Sequence, residues 1–168
     1  MPEIIDSPKK VVILGCGRVG STLAKQFSLE GHSVTIIDLT SDSFRRLGTK
    51  FKGQRIVGTG LDQDTLRKAK LDQASVFIAV TQGDNTNIMA AQIASVEFSV
   101  PKVLARIYDP IRSQAYREMG IRTFCTTTLA ASLIHAAALD IPLTPQDGVH
   151  AWQEIIESWD KVYLEQLG

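Results

Sequence analysis

The chain has no excess of charge of either sign: 18 lysines and arginines balance 18 aspartates and glutamates, and the formal net charge at pH 7 is zero. Binding a nucleic-acid backbone draws on displaced counterions and needs a basic field, so this balance argues against a nucleic-acid partner. Cysteine is scarce. Cys16 and Cys125 are the two thiols in 168 residues, and neither belongs to a C-x-x-C pair. That excludes a disulfide framework and fits a reducing compartment. The three histidines, His32, His135 and His150, lack ligand spacing, so no structural metal is expected. No apolar run approaches the roughly 18 residues that a membrane span requires. The opening MPEIIDSPKK has no basic segment followed by a long apolar core. The expectation is a soluble cytoplasmic protein.

What is present begins with VVILGCGRVG at positions 11–20. A β-branched run, Val11 to Leu14, reads as a buried strand and delivers the chain into Gly15-x-Gly17-x-x-Gly20 and a helix-forming segment. In a dinucleotide fingerprint the first glycine allows the tight turn, the second lets backbone N–H groups approach a pyrophosphate, and the third lets the helix pack closely on the sheet. The helix N-terminus then faces the phosphates with its orphan N–H groups. Asp38, at the end of the second apolar run SVTIID, supplies the acid that accepts from ribose hydroxyls and repels a 2′-phosphate. This favours NAD(H) or a plain adenine nucleotide over NADP(H).

Further along, strands and helices alternate. Strands are predicted at Lys10–Leu14, Ser33–Asp38, Gln54–Val57, 74–80, Lys102–Ile107 and 121–124. Helices are predicted at Arg18–Leu29, a short one from Thr40 through Phe44 and Leu47, 64–70, 85–96 with Asp84 as N-cap, and 110–119 behind Asp109-Pro110. Six alternations with short loops predict an α/β, Rossmann-like, doubly wound parallel six-stranded sheet in the order 3-2-1-4-5-6. The loops at 15–20, 38–40, 58–60 and 81–84 then converge at the carboxyl ends of the strands.

Residues 1–8 read as a disordered leader, 9–125 as the nucleotide-binding domain, and 126–168 as a crossover helix plus a C-terminal helix. Leu129, Ala130, Leu133, Ile134, Ala137, Ala138 and Ile141 recur at helical spacing with almost no charge. Such a stripe packs on the protein's own sheet or projects into a second subunit. Trp152, Ile155, Ile156, Trp159, Val162 and Tyr163 share a face of the final helix at 149–167.

A dehydrogenase needs an acid–base group near its nicotinamide, and no such constellation is found. His135 lies in the apolar helix, where a buried structural role outweighs that of a general base. Arg18, just after Gly17, is placed either to fork onto a phosphate or to face solvent. Arg106, a charge in an apolar strand, needs an ion-pair partner, structural or ligand-linked.

These residues resemble the RCK/KTN regulators, cytoplasmic subunits and domains that gate potassium channels and the Trk and Ktr uptake systems. The resemblance rests on GCGRVGSTLA at 15–24, Asp38, the loop after strand three, AVTQGDNTNIMAAQIA at 79–94, ARIYDP at 105–110 and the apolar helix after strand six. It implies phosphates on Gly15, Gly17 and Gly20, ribose on Asp38, Arg18 at a ligand phosphate in a dimer, and Thr81 and Gln82 beside adenosine. The full nucleotide-binding set expected is Gly15, Cys16, Gly17, Arg18, Val19, Gly20, Asp38, Leu39, Thr59, Gly60, Thr81, Gln82 and Arg106.

The resemblance further implies a non-enzymatic sensor of NAD, NADH, ATP, ADP or AMP. Such a sensor is a homodimer in a higher-order ring, held at the inner face of the membrane by a potassium transporter or channel subunit. The alternative is an NAD-dependent oxidoreductase or its cofactor-binding fragment. Thr59 stands where the family usually has an acid, and 168 residues leave no room for the family's usual second ligand-binding subdomain.

Overall fold

The computed structural model of the chain describes residues 7–140; residues 1–6 of the expected leader at 1–8 and the helix expected at 149–167 lie outside the described residues. Six strands form one parallel sheet in the order β3-β2-β1-β4-β5-β6: β1 (Lys10–Leu14), β2 (Ser33–Asp38), β3 (Gln54–Val57), β4 (Val76–Ala79), β5 (Lys102–Ile107) and β6 (Thr123–Cys125). β1 is central, with Val12 opposite Thr35 on one side and Phe77 on the other.

Because strand side chains alternate between faces, β1 contributes to two cores. Val12 and Leu14 join Ile37, Phe77, Leu66, Ala90 and Ala94 on one face. Val11 and Ile13 join Ala24, Ile36, Leu47, Phe51 and Ile78 on the other. Helices α2 (Gln63–Lys68) and α3 (Asp84–Val96) cover the first face, and α1 (Arg18–Leu29) covers the second. Burial on both sides explains why β1 and β4 read as unbroken apolar runs rather than alternating ones.

Several expected boundaries shift for local reasons. The helix expected at 64–70 is Gln63–Lys68: the Asp62 carboxylate accepts from the N–H groups of Asp64 and Thr65, and Lys70 leaves the helix with φ of 53°. The Thr65 hydroxyl and backbone hold the Asp62 carboxyl below its ordinary value. A 3-10 turn, Leu71–Gln73, uses Ala74 as its cap, so β4 starts later than 74. Gly83, not Asp84, occupies the N-cap of α3; Asp84 is its first helical residue. The helix after Thr40 is a 3-10 helix, Ser41–Leu47, that lacks a side-chain cap. The Thr40 hydroxyl instead sits 2.8 Å from that of Ser43.

The chain forms two compact units, one ending at Arg106 and the other beginning at Ile107. In the second, α4 (Pro110–Glu118) is capped by Asp109, which accepts from the N–H groups of Ile111 and Arg112 at 2.9 and 3.2 Å. The Thr123 hydroxyl donates to the Ser113 carbonyl at 2.8 Å, and β6 begins at Thr123 rather than 121 because the Ile121 N–H is still turned to the Tyr116 carbonyl of α4 at 3.0 Å. Helix α5 (Thr126–Ala138) buries Thr128, Ser132 and Ala136. Ile134 and Leu139 stay 70% and 60% exposed, and His135, expected to be buried, is exposed as well. Among the described residues no helix is long and apolar enough to cross a membrane.

Candidate functional site

The turn out of β1 is built against two neighbours. Gly15 adopts φ of +101°, and a Cβ there would stand 2.9 Å from the Thr81 nitrogen. Any side chain is therefore excluded twice, by backbone conformation and by the next loop. A Cβ on Gly20 would run into the Gly15 carbonyl, and one on Gly60 into the Leu14 side chain. Backbone packing requires the glycine at 20, and at 60 a side chain would have to displace Leu14. Gly17 differs: it is exposed at the N-cap of α1 with φ of −75°, and none of the described residues lies within 4 Å of where its Cβ would be. Packing among the described residues does not require glycine at this position.

Asp38 ties the second strand to this turn. Its Oδ2 accepts from the Cys16 N–H at 2.7 Å and its Oδ1 from the Thr40 N–H at 3.1 Å. An ionised carboxylate has about four acceptor sites, so capacity remains for a hydroxyl after the loop is held. The Asp38 carbonyl also accepts from the Gly58 N–H at 2.9 Å, drawing the β3 loop alongside. Cys16 is fully buried and its thiol donates to the Ser43 carbonyl at 3.3 Å. Burial, and next the Asp38 charge, push that thiol up to about 11. It stays protonated at neutral pH and is no nucleophile.

The remaining expected residues fall on the same edge of the sheet. Arg18 and Val19 open α1 and are exposed, and the Arg18 carbonyl takes the Ser21 and Thr22 hydroxyls at 3.2 and 2.8 Å. Leu39 is 72% exposed beside Asp38. The Thr59 hydroxyl accepts from the Leu61 N–H at 3.3 Å. Thr81 is half-buried and Gln82 exposed. Arg106, for which an ion pair was expected, sends its guanidinium to the Thr81 carbonyl at 2.7 Å.

Asn87 was not among the expected residues. It is fully buried, and its carboxamide makes four hydrogen bonds: it accepts from the Thr81 N–H at 2.9 Å and the Thr81 hydroxyl at 2.7 Å, and donates to the Thr81 carbonyl at 3.0 Å and the Arg106 carbonyl at 2.9 Å. Its signal in the sequence is a polar residue at the head of the buried stripe 87, 90, 91, 94 of α3. Among the described residues, no group of three acidic, histidine or cysteine side chains is arranged to hold a metal.

A parallel sheet in this order, with a glycine turn after β1 and an acid ending β2, defines the doubly wound Rossmann class. The TrkA-N domain pattern matches residues 11–127, and the chain belongs to that family. It is 51% identical over 121 residues to the Trk system potassium uptake protein TrkA of Streptomyces coelicolor, a match covering 72% of this chain and 54% of that relative. The chain thus spans about half the length of that relative. The Shewanella denitrificans Kef CTD in AMP-bound form shares the fold with a TM-score of 0.72 at 18% identity, covering 94% of this chain and 97% of that one. The GsuK channel bound to NAD does so with a TM-score of 0.64 at 16% identity, covering 79% of this chain and 24% of that one.

Proposed function

We propose that this chain is a nucleotide-sensing, non-enzymatic regulatory module of a potassium transporter or channel. Its ligand is an adenine nucleotide without a 2′-phosphate: AMP, ADP, ATP, NAD or NADH. The observation that carries the reading is the open position at Gly17, a glycine that packing among the described residues does not require, at the head of a 12-residue helix. A backbone bare at that point lets phosphate oxygens approach the first N–H groups of α1. Asp38, already oriented by Cys16 and Thr40, accepts from the ribose. The names of the relative and of the two solved neighbours, which carry potassium uptake, AMP and NAD, support the assignment.

The expected residues then take roles. Gly15, Cys16, Gly17, Arg18, Val19 and Gly20 surround the phosphates. Asp38 and Leu39 flank the ribose and base, with Thr59 and Gly60 beside them, while Thr81, Gln82 and Arg106 form the far wall. The module works as a homodimer in a larger ring on the cytoplasmic face of its membrane-embedded partner. A ligand that binds two ring states differently shifts the gating equilibrium, and ~1–3 kcal/mol of coupling changes transport 5- to 150-fold.

Thermal unfolding with each nucleotide tests the reading. A ligand at 100 times its dissociation constant adds ~2.7 kcal/mol to the folded state, and the shift should vanish in Gly17→Ala and Asp38→Ala. No shift with any adenine nucleotide would sink it. Co-purification with a potassium-transporter membrane subunit tests the partner.

A further inference from the structure

We propose that Asn87 is a positioning residue for the nucleotide site, setting its affinity through Thr81 without touching the ligand; this rests on the nucleotide reading above. All four bonds of its carboxamide go to backbone and hydroxyl groups of two residues, Thr81 after β4 and Arg106 in β5. Thr81 bonds to this one side chain with its N–H, carbonyl and hydroxyl; the hydroxyl also accepts from the Gly83 N–H at 3.3 Å, and the Arg106 guanidinium donates to the same carbonyl. The peptide so held is the wall on which Gly15 rests, since a Cβ on Gly15 would meet the Thr81 nitrogen at 2.9 Å and its Cα at 3.1 Å. A displacement of Thr81 by a few tenths of an ångström therefore moves the boundary of the glycine turn. Asn87 is itself fixed from α3, where its own N–H donates to the Gly83 carbonyl at 3.0 Å.

The chemistry asks for a carboxamide. It offers two acceptor sites and two donors on a planar group, matching the two donors of Thr81 and the carbonyls of Thr81 and Arg106. Aspartate keeps the shape and the acceptors but loses both donors, and it turns a carboxylate toward two carbonyl oxygens. Protonating that carboxyl restores one donor, and burial favours the protonated form. A site that depends on Asn87 for position should therefore become pH-sensitive in Asn87→Asp and remain insensitive to mere loss of stability.

The test measures dissociation constants for AMP and for NAD by calorimetry, as the ratio of variant to wild type, at about pH 8 and about pH 6. Asn87→Asp is compared with Ile88→Val, a buried neighbour on α3 that lowers stability without altering the network. The expected ratio for Asn87→Asp is about tenfold or more at the higher pH and smaller at the lower, with Ile88→Val near one at both. Asn87→Ser, which replaces the carboxamide with a neutral hydroxyl, serves as a second variant and should also weaken binding, without the pH dependence. Wild-type affinity in folded Asn87→Asp and Asn87→Ser overturns the positioning role and leaves the nucleotide reading standing. Failure of both variants to fold also overturns it, making Asn87 structural only. A wild type that binds neither AMP nor NAD sinks the reading itself, and this inference with it.

Discussion

Helices α3 and α5 are both 13 residues long and both rich in alanine, yet they bury different kinds of residue. α3, in the unit that ends at Arg106, buries Ile88, Ala90, Ala91 and Ala94 behind a satisfied Asn87. α5, in the unit that begins at Ile107, buries Thr128, Ser132 and Ala136 and leaves Ile134 and Leu139 outside. The Thr128 and Ser132 hydroxyls return to carbonyls of their own segment, Cys125 at 3.3 Å and Leu129 at 2.9 Å, which removes the cost of hiding them. The difference teaches that an apolar helix is not thereby a core helix. Both helices leave large apolar side chains exposed, Met89 and Val96 on α3 and Ile134 on α5; what differs is the buried face, a run of apolar residues on α3 and two hydroxyls with one alanine on α5.

The largest effect expected from that contrast is on the α3 side. Phe77, fully buried between β1 and the helices of its face, should cost ~3–5 kcal/mol as Phe77→Ala, read by urea denaturation. A loss under about 1 kcal/mol would break the comparison. Next comes Gly20→Ala, whose methyl meets the Gly15 carbonyl rather than a movable side chain. Overpacking of this kind should cost ~1–3 kcal/mol and abolish the nucleotide-dependent shift in melting temperature.

A pH titration sharpens the picture of the same unit. The Cys16 thiol is raised from an ordinary 9.0 to about 11 in the folded chain. Between those values the unfolded chain has released the proton and the folded one has not. Stability is therefore full below pH 9 and declines as pH rises toward 11, a slope that Cys16→Ser should remove from the urea midpoint. The smallest effect is expected at Ile134. Ile134→Ser should change the stability of the monomer by no more than ~0.5 kcal/mol, because the side chain is already 70% exposed. Sedimentation should instead show weakened self-association. A core-sized loss of stability at this position would erase the distinction between the two helices.

The same contrast explains what could be read before any coordinates. Strand order, the placement of the glycine turn and the acid at Asp38 follow from local signals: an unbroken apolar run, a glycine spacing, a carboxylate at a strand end. The structure adds what depends on partners distant in sequence. Asn87 lies 19 residues from Arg106 and looks like an ordinary polar residue until β5 arrives beside it. The exposed His135 was misplaced because apolar neighbours within one helix suggest burial, whereas burial is decided by the face that is covered. Residue type alone makes Asp84 an N-cap, but the backbone turns one residue earlier, at Gly83.

The three glycines of the turn answer to different masters. Gly15 and Gly20 are held to their identity by the fold, through the Thr81 backbone and the Gly15 carbonyl, and Gly17 is held by none of the described residues. On the reading proposed above, descendants of such a domain can lose their ligand without losing their architecture, by a single change at 17. A sequence that keeps the first and third glycines and fills the second would be a silent sensor, intact in shape and deaf to nucleotide. The state of that one position then sorts the listening members of a lineage from those kept for assembly alone.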